Sequence, residues 1–132
     1  MKKKVKAVVL VLSIAVLGCL GLVFAATGAA EKELGALVYH DVDMDSVADG
    51  TYYGETDAGL VYVKLAVSVK DHAIEEIRIM EHKNGLGQAA ESILWAMVDK
   101  NDYAVDAVSG ATLSSEAIKS AVSKALNAGQ GE

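Results

Sequence analysis

The sequence predicts an α+β fold: a small antiparallel sheet with two helices packed on it, preceded by an N-terminal transmembrane helix. Three observations carry this expectation. Residues 61–70 alternate strictly between apolar and polar side chains. Residues 88–99 and 114–127 repeat apolar side chains at helical spacing. Residues 7–30 carry no charged side chain at all.

The 24 uncharged residues 7–30 follow Lys2, Lys3, Lys4 and Lys6. That length exceeds the ~20 residues a helix needs to span a bilayer. Flanking lysines stay cytoplasmic, so a single-pass protein of the cell membrane is expected, with its folded part on the extracytoplasmic side. Two other fates of the segment stay open. Val23-Phe24-Ala25 offers small residues for signal cleavage, and Val16-Leu17-Gly18 before Cys19 faintly matches a lipoprotein signal. Cys19 is the only cysteine, which excludes an intramolecular disulfide and a thiolate metal site.

All 18 acidic residues lie from Glu31 onward, with only 8 of the 12 basic ones, which leaves that part a formal charge of −10. A polyanion of this kind repels nucleic acid and steers toward basic partners. Residues 31–48 read as an acidic tether. Asp41, Asp43 and Asp45 have the spacing that opens a calcium loop, but Ser46 and Tyr52 stand where glycine and glutamate are needed. A solvated linker is the expectation there.

A single folded domain is expected over 49–128. Asp49-Gly50 is a turn signal, and 51–55 forms a first short strand. In the second strand Val61, Val63, Leu65, Val67 and Val69 share one face, and Tyr62, Lys64, Ala66, Ser68 and Lys70 share the other. Asp71 and His72 tolerate the positive φ of a two-residue hairpin turn. A third strand runs from Ile74 to about His82, with Ile77 and Ile79 inward. Past Gly85-Leu86-Gly87 the period changes. Ala90, Ile93, Leu94 and Met97 form the apolar stripe of a helix over 88–99, with Trp95 off the stripe and read as a packing residue. Asn101-Asp102-Tyr103 ends it. The last helix starts at Ser114 or Ser115, either serving as N-cap, and buries Ile118, Ala121, Val122, Ala125 and Leu126.

Between these helices lies Asp106-Ala107-Val108-Ser109-Gly110-Ala111-Thr112. A small-residue turn here puts the Thr112 hydroxyl at or near a helix N-terminus, where open backbone N–H groups favour an anion such as a phosphate. Gly110 lets the backbone approach a bulky group or adopt a turn closed to other residues. Ala111 adds little bulk. The hydroxyls of Ser109, Ser114 and Ser115 are candidate donors to phosphate oxygens. Asp106 repels a phosphate; it either fixes the turn by bonding nearby N–H groups or holds a metal ion.

This run resembles the flavin-attachment motif of the FMN-binding domain family, Asp-x-x-Ser/Thr-Gly-Ala-Thr. The resemblance covers 49–126: "ADGTYYGE" resembles the family's opening strand, "VKLAVSVKDHAIEEIRIMEHK" its central hairpin, and "NGLGQAAE" the glycine turn into its first helix. Where many members carry Glu-Thr-Pro before the glycine turn, this chain has His82-Lys83-Asn84. It is similar instead to members with His-Lys-x-Gly-x-Gly, through His82, Lys83, Gly85 and Gly87. The hairpin usually has glycine where His72 stands.

The resemblance implies FMN as cofactor, held as a phosphoester on Thr112, with His82, Gly85 and Gly87 near it. It implies a flavin transferase using FAD as donor, and redox partner proteins or quinone-like molecules as electron donors and acceptors. No acid–base pair or nucleophile constellation stands out. The chain therefore reads as an electron carrier at the membrane rather than a stand-alone enzyme. Noncovalent FMN binding or sensing is the alternative, and a flavin-free scaffold a third.

Overall fold

The computed structural model describes residues 2–3, 6, 13–17, 31–83 and 88–131. The chain divides into two compact units, Met1–Lys32 and Glu33–Glu132. In the first, residues 13–17 are helical and exposed. No helix among the described residues is long and apolar enough to cross a membrane. Most of the expected spanning segment 7–30 lies outside the described residues.

The second unit holds strands β1 (Gly50–Asp57), β2 (Tyr62–Lys70) and β3 (Ala73–Lys83), then a 3-10 helix (Gln88–Ser92), α1 (Ile93–Lys100) and α2 (Thr112–Gly129). The strands form one antiparallel sheet in the order β1-β2-β3. The alternation of β2 is realised: Val61, Val63, Leu65, Val67 and Val69 are all buried. Asp71 and His72 have φ of 50° and 60°, the turn that matches the twist of a hairpin. The opposite face of the sheet, with Tyr53, Glu55 and Arg78, is exposed.

β3 departs from simple alternation. Its register against β2 shifts between Lys64 and Leu65 and again between Ser68 and Val69. Glu75 and Met80 are the extra residues of these bulges. The bulges explain how Ile74, Ile77 and Ile79 all reach the inner face although the first two are three residues apart.

Both helices cover this inner face. α1 packs on β3, and α2 on β1 and β2. Ile93 and Met97 of α1 enter the core. The first turn of the expected helix 88–99 is 3-10 rather than α. Asn101 ends α1 in the left-handed region, and its side chain ties the hairpin to the helix. Its Oδ1 accepts from the Ile74 N–H at 2.7 Å, and its Nδ2 donates to the His72 carbonyl at 3.0 Å.

α2 lies antiparallel on β1 at very close range. A Cβ on Gly54 would fall 1.9 Å from the Ala121 carbonyl oxygen. Beside it, the buried Thr56 hydroxyl meets Ser120 Oγ at 3.1 Å, and at the far end the Ala48 N–H donates to the Gly129 carbonyl at 3.0 Å.

The segment expected as a solvated tether is in fact docked along α2 from Val38 onward. Ser120 Oγ donates to the Val38 carbonyl at 2.6 Å, and the His40 N–H donates to Ser123 Oγ at 3.1 Å. Tyr39 stacks on Tyr103, whose hydroxyl donates to the His40 carbonyl at 3.0 Å. Val47 is fully buried. Asp43 caps a short 3-10 turn, Met44–Ser46, by accepting from the Asp45 N–H. Burial of the Tyr39 ring, reinforced by its hydroxyl bond to Glu116, raises its phenol above the ordinary value.

Two outcomes follow from this packing. Gly54→Ala forces the α2 backbone off β1 and lowers stability by about 3 kcal/mol, read as the urea midpoint; an unchanged midpoint contradicts the contact. The Tyr39 contact favours the protonated phenol in the folded state, so its contribution is full below about pH 10 and is lost as pH rises through the higher folded value. Tyr39→Phe should flatten the alkaline fall of the thermal midpoint.

Candidate functional site

The run 106–112 folds as a β-turn feeding directly into α2. The Ala111 N–H donates to the Val108 carbonyl at 3.0 Å, and Gly110, third in that turn, has φ of 81°. A Cβ at Gly110 would meet nothing within 4 Å. The glycine therefore serves the positive φ of the turn and makes no close approach to another part of the chain.

α2 begins at Thr112, two or three residues earlier than the expected start at Ser114 or Ser115. Its N-cap is Ala111, without a side-chain cap bond. Ser114 and Ser115 are consequently not caps. They lie inside the first turn, and both are buried. The Ser115 hydroxyl accepts from the Val108 N–H at 2.9 Å and donates to the Ala111 carbonyl at 2.7 Å. It is thus committed to closing the turn and is not a phosphate donor. Asp106 does not fix the turn: it is exposed and bonds none of the turn's N–H groups. The spacing of Ser115 in the sequence gives no sign that it turns back under the loop.

Thr112, Ser109 and Gly110 are exposed. The first α-helical bond ties the Ser115 N–H to the Ala111 carbonyl, so the amides of Thr112 and Leu113 precede the intrahelical ladder. A reachable hydroxyl and open amides meet on the first residues of an 18-residue helix. This is the arrangement that receives a phosphate.

His82 lies at the same end of the sheet. It pairs with Val63, which pairs with Thr56, and Thr56 is bound to Ser120. From Ser120, α2 runs past the end of β1 toward Thr112. α2 also contacts the 3-10 helix Gln88–Ser92. There Glu91 bonds His82: Oε1 is 2.9 Å from Nδ1, with the imidazole only 3% exposed. An ionised carboxylate only accepts, so Nδ1 carries the proton. Nε2 is buried and has no hydrogen-bond partner among the described residues. A buried polar nitrogen left unmatched costs about 1–3 kcal/mol, which a ligand atom would recover.

Lys83 points to the other face and does not join His82. Its ammonium bonds Glu81 at 2.9 Å and sits 5.6 Å from the Tyr62 ring centroid. The Glu81 carboxylate raises the Lys83 pKa. Gly85 and Gly87 lie outside the described residues. Trp95, expected to pack, is 82% exposed. It stands two residues from both Ile93 and Met97, so the buried stripe of α1 turns it to water.

A sequence profile described as the FMN-binding domain matches residues 58–127, more than half of the chain. The chain belongs to the FMN-binding domain family. The crystal structure of the CPE2226 protein from Clostridium perfringens has a similar fold, with TM-score 0.52 and 23% identity over 63% of this chain and 88% of that one. No curated protein matches the chain significantly. Membership assigns FMN as cofactor, and the residues present fit it. The Thr112 hydroxyl and the α2 amides suit its phosphate, and the unmatched His82 nitrogen suits a polar edge of its ring.

Glu91 and the clamping role of Ser115 are the features of this FMN-binding domain that sequence reasoning missed. Glu91 stands nine residues after His82, at the first apolar-periodic turn, and nothing in that spacing marks the contact. Ser115→Ala strands the Val108 N–H and should lower stability by about 1–2 kcal/mol, whereas Ser109→Ala, on the exposed side, stays within about 0.5 kcal/mol. Chemical denaturation of the two variants separates a clamp from a surface hydroxyl.

Proposed function

We propose that this chain is an extracytoplasmic flavoprotein, held at the cell membrane by residues 7–30, which carries FMN covalently on Thr112 and relays electrons. The observation that carries this reading is the Thr112 hydroxyl, exposed on the first residue of α2 beside a preformed turn. A modifying enzyme needs such access to its acceptor.

In the attachment step a flavin transferase uses FAD. Thr112 Oγ1 would hold the FMN phosphate as an ester, its bond to phosphorus replacing the pyrophosphate bond of FAD, with AMP as the leaving group and the hydroxyl proton released. The α2 amides stabilise the phosphate oxygens during and after this step. Ser115 keeps the turn in shape, and Gly110 lets the chain take it. His82, with Nδ1 held by Glu91, offers Nε2 as the polar contact to the ring. The flavin, when bound, supplies the redox chemistry. The protein contributes attachment, orientation and the electrostatic setting, and its donors and acceptors are other redox proteins or quinone-like molecules.

Intact mass of the chain coexpressed with a flavin transferase tests the reading. A mass increase equal to FMN less one water is expected, retained after denaturation and absent in Thr112→Ala. Flavin that is present but released on denaturation supports a noncovalent FMN module instead. A colourless protein in both cases refutes the electron-carrier account. The same measurement on protein from native membranes reports whether 1–30 is retained.

A further inference from the structure

Between α1 and β3 runs an open groove of about 510 Å³. Its floor is apolar, from Ile77, Leu94 and Val98, and Trp95 stands at its side. At 82% exposure Trp95 is the most exposed large apolar side chain among the described residues. An indole left in water on a folded domain forgoes a large burial gain, and tryptophan is a common anchor of binding energy at interfaces.

The rim is acidic. Glu75, Glu76 and Glu91 all line the groove. Glu75 is there because of the bulge opposite Ser68/Val69, which sets two consecutive carboxylates on the rim. Glu76 pairs with Arg78 at 3.1 Å, but both side chains are more than half exposed, so a partner's cation displaces Arg78 easily. Carboxylates around an aromatic face suit an Arg or Lys side chain, which takes a cation–π contact and an ion pair together. The formal charge of −10 beyond residue 30 steers such a partner from a distance. Glu91 belongs both to this rim and to the His82 contact, so the groove backs directly onto the flavin end of the domain.

We infer that the Trp95 groove docks a basic partner protein, one whose contact surface carries Arg or Lys beside an apolar patch. The inference deepens the electron-carrier reading and rests on it only for calling that partner a redox protein.

The full chain in detergent micelles, labelled with a heavy nitrogen isotope, provides the test. Trp95 is the only tryptophan, so its indole N–H gives a single signal. The probes are a cationic c-type cytochrome and an anionic flavodoxin. The cytochrome should move the Trp95 signal saturably and the flavodoxin should leave it in place. By calorimetry, Trp95→Ala and the pair Glu75→Gln/Glu76→Gln should each weaken cytochrome binding about tenfold, as loss of contacts in a docked patch does. The pair Asp41→Asn/Asp45→Asn, equal in charge removed but remote from the groove, should leave it within about twofold. Equal weakening by both pairs means diffuse attraction and overturns the proposal. So does an unmoved Trp95 signal, or one that moves only with the chain's own concentration, which indicates self-association. Intact mass of the same sample reports the flavin, so failure of the flavin reading is seen separately from failure of docking.

Discussion

The close seating of α2 on β1 is the contact from which the rest of the domain takes its geometry. It depends on Gly54 having no side chain, since the Ala121 carbonyl occupies the place where a Cβ would sit. With the helix backbone resting on the strand, small and polar side chains suffice to hold the interface. Thr56 and Ser120 meet hydroxyl to hydroxyl, and Lys124 Nζ reaches the Glu55 carbonyl at 3.1 Å. The other flank of α2 is held by the 38–48 segment. The helix thus has little freedom to slide or rotate, and its first turn is set relative to the end of the sheet. That relation brings the 106–112 turn and the His82–Glu91 pair to one end of the folded domain.

Within the turn, chemically similar residues have divided tasks, and burial decides which does what. Ser109 and Thr112 face water; Ser114 and Ser115 do not. Ser115 satisfies a loop amide and a loop carbonyl at once, a strong constraint for one side chain. The consequence is a turn that is already formed before any cofactor arrives. Under the proposed attachment, the Thr112 hydroxyl on such a turn would lose little conformational freedom, which would favour the reaction.

The sequence made the sheet legible where packing is periodic. β2 could be read residue by residue because every second side chain is buried, and Asp71-His72 because few other residues accept positive φ. It hid what depends on contacts distant in sequence. The bulges at Glu75 and Met80 come from the register with β2. The docking of 38–48 rests on bonds from Val38 and His40 to α2 residues more than 80 positions away. An acidic, weakly periodic segment gives no local sign of that. Serines at 114 and 115 are good caps in isolation and point to a later start for α2, whereas here the turn supplies the first acceptor from Ala111. Tryptophan is usually buried, which favours a packing role for Trp95; on α1, however, the stripe through Ile93 and Met97 claims the inner face. Thr112 and Gly110 were legible as a motif, His82 as a residue beside it. Glu91 was not, since its partner is brought to it by the fold.

A domain of this size has one core, and here that core lies between a single sheet layer and two helices. The opposite sheet face is open, and the Thr112 turn is at the rim. Retaining a cofactor noncovalently demands burial of most of its surface, which a one-layer sheet of this kind supplies poorly. A covalent bond removes that demand: the effective concentration of a tethered group stays high however dilute the surroundings. The ring then needs only orientation, for which one held imidazole nitrogen and a few apolar contacts are adequate. It would also stay accessible to a partner, which the proposed electron-carrier role needs. If Thr112 carries the cofactor as proposed, the openness of the site and the exposed hydroxyl would be two sides of the same solution, and the acidic groove beside Glu91 would give a partner access to it.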